Sequence, residues 1–143
     1  MNDAPSLPNL TDEQIAALDE AFPAFDPGAR PCGSRILVQL RSPRKKIGSL
    51  FITDNAQETE KWNTQVARVV AVGPLAFKHR DSQKDWAEGA WCQPGDYVRF
   101  NKYIGDRWDV QLSDDRTASF ILINDLEVTA VIYGDPLAVK AFL

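Results

Sequence analysis

Acid–base, nucleophilic or metal chemistry in this 143-residue chain would have to be built from one histidine, two cysteines and twenty carboxylates, and their spacing builds none of it. His79 lies in the polar stretch Phe77-Lys78-His79-Arg80-Asp81, with a cation on each side, so it reads as a solvated surface residue. Cys32 and Cys92 are sixty positions apart and, with a single histidine, match no zinc-ligand spacing; two reduced, structural thiols are expected. The chain has no Gly-x-x-x-x-Gly-Lys-Ser/Thr phosphate loop, no Gly-x-Gly-x-x-Gly after a strand and no Gly-x-Ser-x-Gly elbow. Glu58, Glu60, Asp106, Asp109, Asp114 and Asp115 fall in polar, loop-like stretches where solvation explains them. The reading is a protein that is not an enzyme and that uses no cofactor and no metal.

Two neighbouring stretches are the candidates for contact with a partner instead, the first of them reading in the first place as a solvated loop shoulder. Arg41-Ser42-Pro43-Arg44-Lys45-Lys46 packs four cations into six residues, yet sixteen Lys and Arg against twenty Asp and Glu leave a net charge of −4. That balance argues against a dedicated nucleic-acid binder, which needs surplus cations to neutralise phosphates. Directly after the cations, Ile47-Gly48-Ser49-Leu50-Phe51-Ile52-Thr53-Asp54-Asn55 sets three consecutive large apolar residues between Gly-Ser and Thr-Asp-Asn. Such a trio without alternation suits a short apolar patch on a flexible loop, the other reading being a short buried strand.

The elements that must carry these stretches follow from the periodicity. Residues 1–30 form an extension in which Pro5, Pro8, Pro23 and Pro27 flank one helix, Thr11 to Phe22. Thr11 and Gln14 have capping-box spacing, and Ile15, Leu18 and Phe22 form a narrow apolar stripe that must dock on its own domain or on a neighbour. From Arg35 the period becomes two: Ile36, Val38 and Leu40 face one way, with Leu37, Gln39 and Arg41 opposite, a strand with one buried side. Gln65 to Val72 is nearly apolar on both faces and is expected to be covered on both sides or to close a barrel. Gln93-Pro94-Gly95-Asp96 has the Pro-Gly centre of a type II turn and leads into Tyr97 to Phe100. A short strand is expected around Trp108 to Leu112, and a final pair, Ser119 to Ile123 and Leu126 to Ile132, is expected to turn tightly at Asn124-Asp125. The sum is one small, mostly antiparallel β-barrel of five to seven strands. The N-terminus has no signal-peptide pattern and no apolar run is long enough for a membrane span, so a soluble, cytoplasmic protein is expected.

The order of these elements resembles the GroES-type co-chaperonins, which cap the double-ring chaperonin. The resemblance is carried by Pro31, Ser34 to Val38, Gly48 to Thr53, Ala67 to Gly73, Pro94 to Asn101, Phe120 to Ile123 and Asp125-Leu126, in the family's order and at roughly its spacing. It implies an all-β, partly open GroES-like barrel over residues 31–132, with the N-terminal helical extension before it and a short tail, 133–143, after it. It also implies a seven-membered ring whose mobile loop, about 42–62, docks an apolar tripeptide on the chaperonin. That tripeptide falls on Leu50, Phe51 and Ile52, with Gly48, Ser49 and Thr53 as loop flanks. Residues 73–94 look like the family's roof-forming hairpin, with Phe77, Trp86 and Trp91 available for packing. Gly48-Ser49 stands where the family has two glycines, and the extra ends suggest a bacteriophage version. The same barrel would then have an alternative use as a virion part, contacting capsid or tail proteins.

Overall fold

The computed structural model describes residues 10–42, 46–47, 50–51, 65–101, 103–111 and 117–138. Helix α1 (Asp12–Ala21) starts where the sequence places it: Thr11 Oγ1 accepts from the Gln14 amide at 3.1 Å, and Gln14 Oε1 accepts from the Thr11 amide at 2.8 Å. Among the described residues eight strands follow: β1 (Arg35–Leu40), β2 (Lys46–Ile47), β3 (Leu50–Phe51), β4 (Val66–Val72), β5 (Tyr97–Phe100), β6 (Asp106–Gln111), β7 (Thr117–Asn124) and β8 (Val128–Ile132). Six of them form one antiparallel sheet in the order β6-β7-β1-β4-β5-β8, whose two outer strands do not pair with each other, so the sheet is not closed. Among the described residues β2 and β3 pair only with each other. No helix among the described residues is long and apolar enough to cross a membrane.

Both faces of β1 are buried, which corrects the expectation of one covered side. Ile36, Val38 and Leu40 join Val69, Val98, Phe100, Ile121 and Ile123 in the main core. Leu37 packs on the opposite face with Ala118 and Phe120. The reason is the N-terminal arm, which runs over that second face. Gln39 Nε2 donates to the Pro23 carbonyl at 2.8 Å, and Trp108 Nε1 donates to the Pro27 carbonyl at 2.9 Å. Gln39 is buried because both ends of its amide are satisfied, its oxygen accepting from Arg68 Nη2 at 2.8 Å. The helix therefore docks on its own domain: Leu18, Ala21 and Phe22 pack around Tyr97, with the Phe22 and Tyr97 rings edge to face at 5.1 Å. Ile15, the third member of the expected stripe, stays exposed.

The last two strands also differ from expectation. β7 and β8 do not form a hairpin at Asn124-Asp125; a 3-10 turn, Asp125–Glu127, separates them, β7 pairing with β1 and β6 and β8 with β5. The cause is Asp125, buried in spite of its charge. Its carboxylate accepts from the Phe77 amide at 3.0 Å and the Leu126 amide at 2.7 Å, while its own N–H donates to the Ser34 carbonyl at 3.1 Å. An aspartate with these partners ties the turn to residues 73–94 and sends β8 to the far edge of the sheet. Asp125→Ala leaves the Phe77 amide without its acceptor and is expected to lower stability by about 1–3 kcal/mol, read as a shifted urea midpoint at unchanged slope. An unchanged midpoint would show that the latch contributes nothing.

Candidate functional site

The β1–β4 pair organises the molecule functionally because two long excursions leave its opposite ends. Leu40 lies across from Ala67 at one end and Ile36 across from Val72 at the other. Four residue steps at about 3.4 Å put these ends about 14 Å apart. Residues 41–65 leave and return at the first end, and residues 73–94 begin at the second.

The base of the 41–65 excursion is clamped on both sides. On the outgoing side Ser42 is buried; its amide donates to the Ala21 carbonyl at 2.7 Å and its hydroxyl to the Thr117 carbonyl at 3.2 Å. On the returning side the Gln65 carbonyl accepts from the Phe100 amide at 2.9 Å, and Gln65 Oε1 accepts from Arg99 Nη2 at 3.4 Å. Helix α1, β5 and β7 thus all hold the stems. Between them β2 and β3 pair in the register Lys46 with Phe51 and Ile47 with Leu50, and two residues, Gly48 and Ser49, separate the strands. Leu50 and Phe51 accordingly lie in a two-residue strand outside the main sheet. Gly48, Ser49, Ile52 and Thr53 lie outside the described residues, as does most of the span 42–62 expected as a loop.

At the other end, residues 73–94 fold back on the protomer's own core. Gly73 turns the chain where no Cβ fits: one built there would meet the Gly33 carbonyl oxygen at 2.3 Å and that of Arg35 at 2.9 Å. The Lys78–Asp85 pair closes a small hairpin through a 2.6 Å salt bridge, and His79 is exposed beside it. Phe77, Trp86 and Trp91 form a cluster, with Trp86 and Trp91 centroids 4.9 Å apart, and all three pack with Ala76 and Cys92 on the barrel core. This packing and the Asp125 latch had no signal in the sequence beyond the aromatic residues themselves.

Cys32 and Cys92 are free thiols, Cys32 exposed and Cys92 buried. Burial, with the Asp96 carboxylate adding to it, pushes the Cys92 thiol from 9.0 up to about 12. Near pH 8 an alkylating reagent is expected to modify Cys32 in the folded protein and Cys92 only after unfolding; equal rates at both would contradict this burial. A thiol raised in the folded state has no effect on stability below its unfolded value, so stability holds up to about pH 9 and falls as pH rises from there toward 12.

Among the described residues no group of histidine, cysteine and acidic side chains is arranged to hold a metal ion. The clamped excursion and the core-packed insert at opposite ends of one open antiparallel sheet accompany a direct match: the family model described as Chaperonin 10 Kd subunit covers residues 28–132. The chain belongs to this co-chaperonin family. No curated protein is similar enough to be aligned with it. Membership in the co-chaperonin family makes a chaperonin the partner class and an oligomeric ring the assembly, and the family is non-enzymatic. The co-chaperonin match leaves α1 and the residues after Ile132 outside it.

Proposed function

We propose that this protein closes a chaperonin over a folding substrate as a seven-membered ring, docking through Leu50, Phe51 and Ile52 on the 41–65 excursion. The observation that carries the reading is the placement of that excursion: it leaves from the end of the β1–β4 pair opposite the core-packed insert, on stems tied to three elements. A contact loop on one rim and a roof on the other is the division of labour a cap requires.

The energetics explain why a ring is needed. Burying three large apolar side chains gains about 1.5–3 kcal/mol each, roughly 5–9 in total. Ordering about six loop residues costs about 1–2 kcal/mol apiece, roughly 6–12. One loop alone binds marginally, and clamped stems together with the β2–β3 pairing lower the ordering term. Several loops on one rigid ring make each later contact intramolecular, so affinity grows with copy number while each contact stays weak. A change in the geometry of the chaperonin's sites with its nucleotide state then releases the whole cap. The protein needs no nucleotide site of its own. Mixing the protein with a chaperonin and nucleotide and separating by size tests this: co-elution of a ring with the chaperonin in a nucleotide-dependent manner is expected, and separate elution under every nucleotide condition would overturn the reading.

A further inference from the structure

Helix α1 ends without the usual partners for its last carbonyls. Its final turn carries no basic side chain, and the residue after Ala21 is Phe22 at φ −127°, not a glycine in a left-handed cap. The Ala21 carbonyl is satisfied from far along the chain instead, accepting from the Ser42 amide at 2.7 Å. Just beyond it the Pro23 carbonyl accepts from Gln39 Nε2 at 2.8 Å. The end of α1 therefore grips the chain at Gln39 and Ser42, where the 41–65 excursion departs. The two stems are held by different parts of the molecule. The returning stem is tied at Gln65 to Arg99 and Phe100, inside the matched residues 28–132. The outgoing stem is tied to Thr117 inside that span and to Ala21 outside it. Within α1 only Leu18 and Ala21 are buried, joined by Phe22 just after it. A ten-residue helix is not stable alone in water, so α1 persists only while these side chains stay on Tyr97. When α1 leaves, the Ala21 carbonyl leaves with it. Ser42 is 1% exposed, and an amide that deeply buried does not remain without an acceptor, so the stem must move toward water.

We infer that α1 is a brace on the outgoing stem that sets how strongly the 41–65 excursion docks, with Ser42 as the positioning residue through which it acts. With α1 in place the stem is ordered before a chaperonin arrives; with α1 released, that ordering falls to the binding step and weakens it. Ordering even one released residue per loop costs about ten-fold in the affinity of that loop, a difference of about 1.4 kcal/mol. The coupling is reciprocal: the factor by which docked α1 strengthens chaperonin binding is the factor by which chaperonin binding strengthens the docking of α1. The inference rests on the docking role proposed for the excursion and adds to it an element that the family match does not include.

Phe22→Ala in the full-length chain tests it by removing the ring that packs 5.1 Å from Tyr97. Asp125→Ala is the control, a destabilising change at the opposite end of the β1–β4 pair. Two quantities are read: hydrogen exchange of the Ser42 amide in the free protein, and the concentration for half-maximal binding to an immobilised chaperonin with nucleotide. Phe22→Ala is expected to speed Ser42 exchange and to weaken binding, each at least about ten-fold, with its native mass unchanged. Asp125→Ala is expected to stay within about two-fold of wild type in both, because α1 opens locally and not with the whole barrel. Ser42 exchange at the wild-type rate in Phe22→Ala overturns the brace whether or not a chaperonin binds. Faster exchange with wild-type binding overturns its hold on docking and leaves the docking role standing. A wild type that binds no chaperonin while Phe22→Ala still releases Ser42 overturns the docking role, and the α1–Ser42 coupling survives it. Wild type alone supplies a readout that no variant's folding affects: saturation with chaperonin is expected to slow exchange of the Leu18 to Phe22 amides, and unchanged exchange there overturns the inference.

Discussion

Phe51→Ser is expected to abolish co-elution with a chaperonin while moving the thermal midpoint of the free protein by no more than about 2 °C. Phe51 lies in the isolated β2–β3 pairing rather than in the six-stranded sheet, so the barrel does not depend on that ladder. Losing the burial of one phenylalanine removes about 1.5–3 kcal/mol from each docked loop, or roughly ten- to one-hundred-fold per loop. Because the loops of one ring act together, the factors compound and the complex drops below detection. Undiminished binding by the variant would take the docking role away from the Leu50–Phe51–Ile52 trio.

Phe77→Ala is expected to have the largest effect on the barrel itself, about 3–5 kcal/mol. Phe77 is 2% exposed, its ring centroid lies 5.5 Å from that of Trp86 and 5.9 Å from that of Trp91, and its amide donates to the buried Asp125 carboxylate. Its backbone holds φ at 61°, a left-handed value that a bulky residue adopts only where its surroundings impose it. Removing the ring takes the centre out of the aromatic cluster and leaves Trp86 and Trp91 without their shared neighbour. A large fall in the urea midpoint with a red-shifted tryptophan emission is the expected result. A loss below about 1 kcal/mol would mean that residues 73–94 are not integral to the core.

Local features of the fold were legible in the sequence wherever one short-range rule dominates. The Thr11–Gln14 box, the strand from Arg35, the doubly apolar β4 and the approach to Tyr97 through Pro94-Gly95 all rest on neighbours within a few residues. What the sequence misread depends on partners far along the chain. β1 looked half-exposed because its second face is covered by the arm, through Pro23 and Gln39, sixteen residues apart. Asn124-Asp125 resembled a hairpin turn because nothing local reveals that Asp125 reaches Phe77, forty-eight positions away. Ile15 fitted the helix stripe but reaches no core, since the apolar surface under α1 is only as wide as Tyr97 and Ile132 make it. The trio proposed for docking stands out as composition, three large apolar residues without alternation, whereas the clamps at Ser42 and Gln65 that hold the stems of the 41–65 excursion involve ordinary polar residues with no signature. The family likeness was legible because it lies in the order of many weak segments, and the match over residues 28–132 agrees with it.

Hydrogen exchange of the protein alone and with an excess of chaperonin and nucleotide addresses the cap most directly. Strong slowing of exchange across residues 46–52 is expected in the complex, with the β1, β4 and β7 amides unchanged. Exchange in that segment that is the same with and without the chaperonin, or protection appearing only on the sheet, would contradict it.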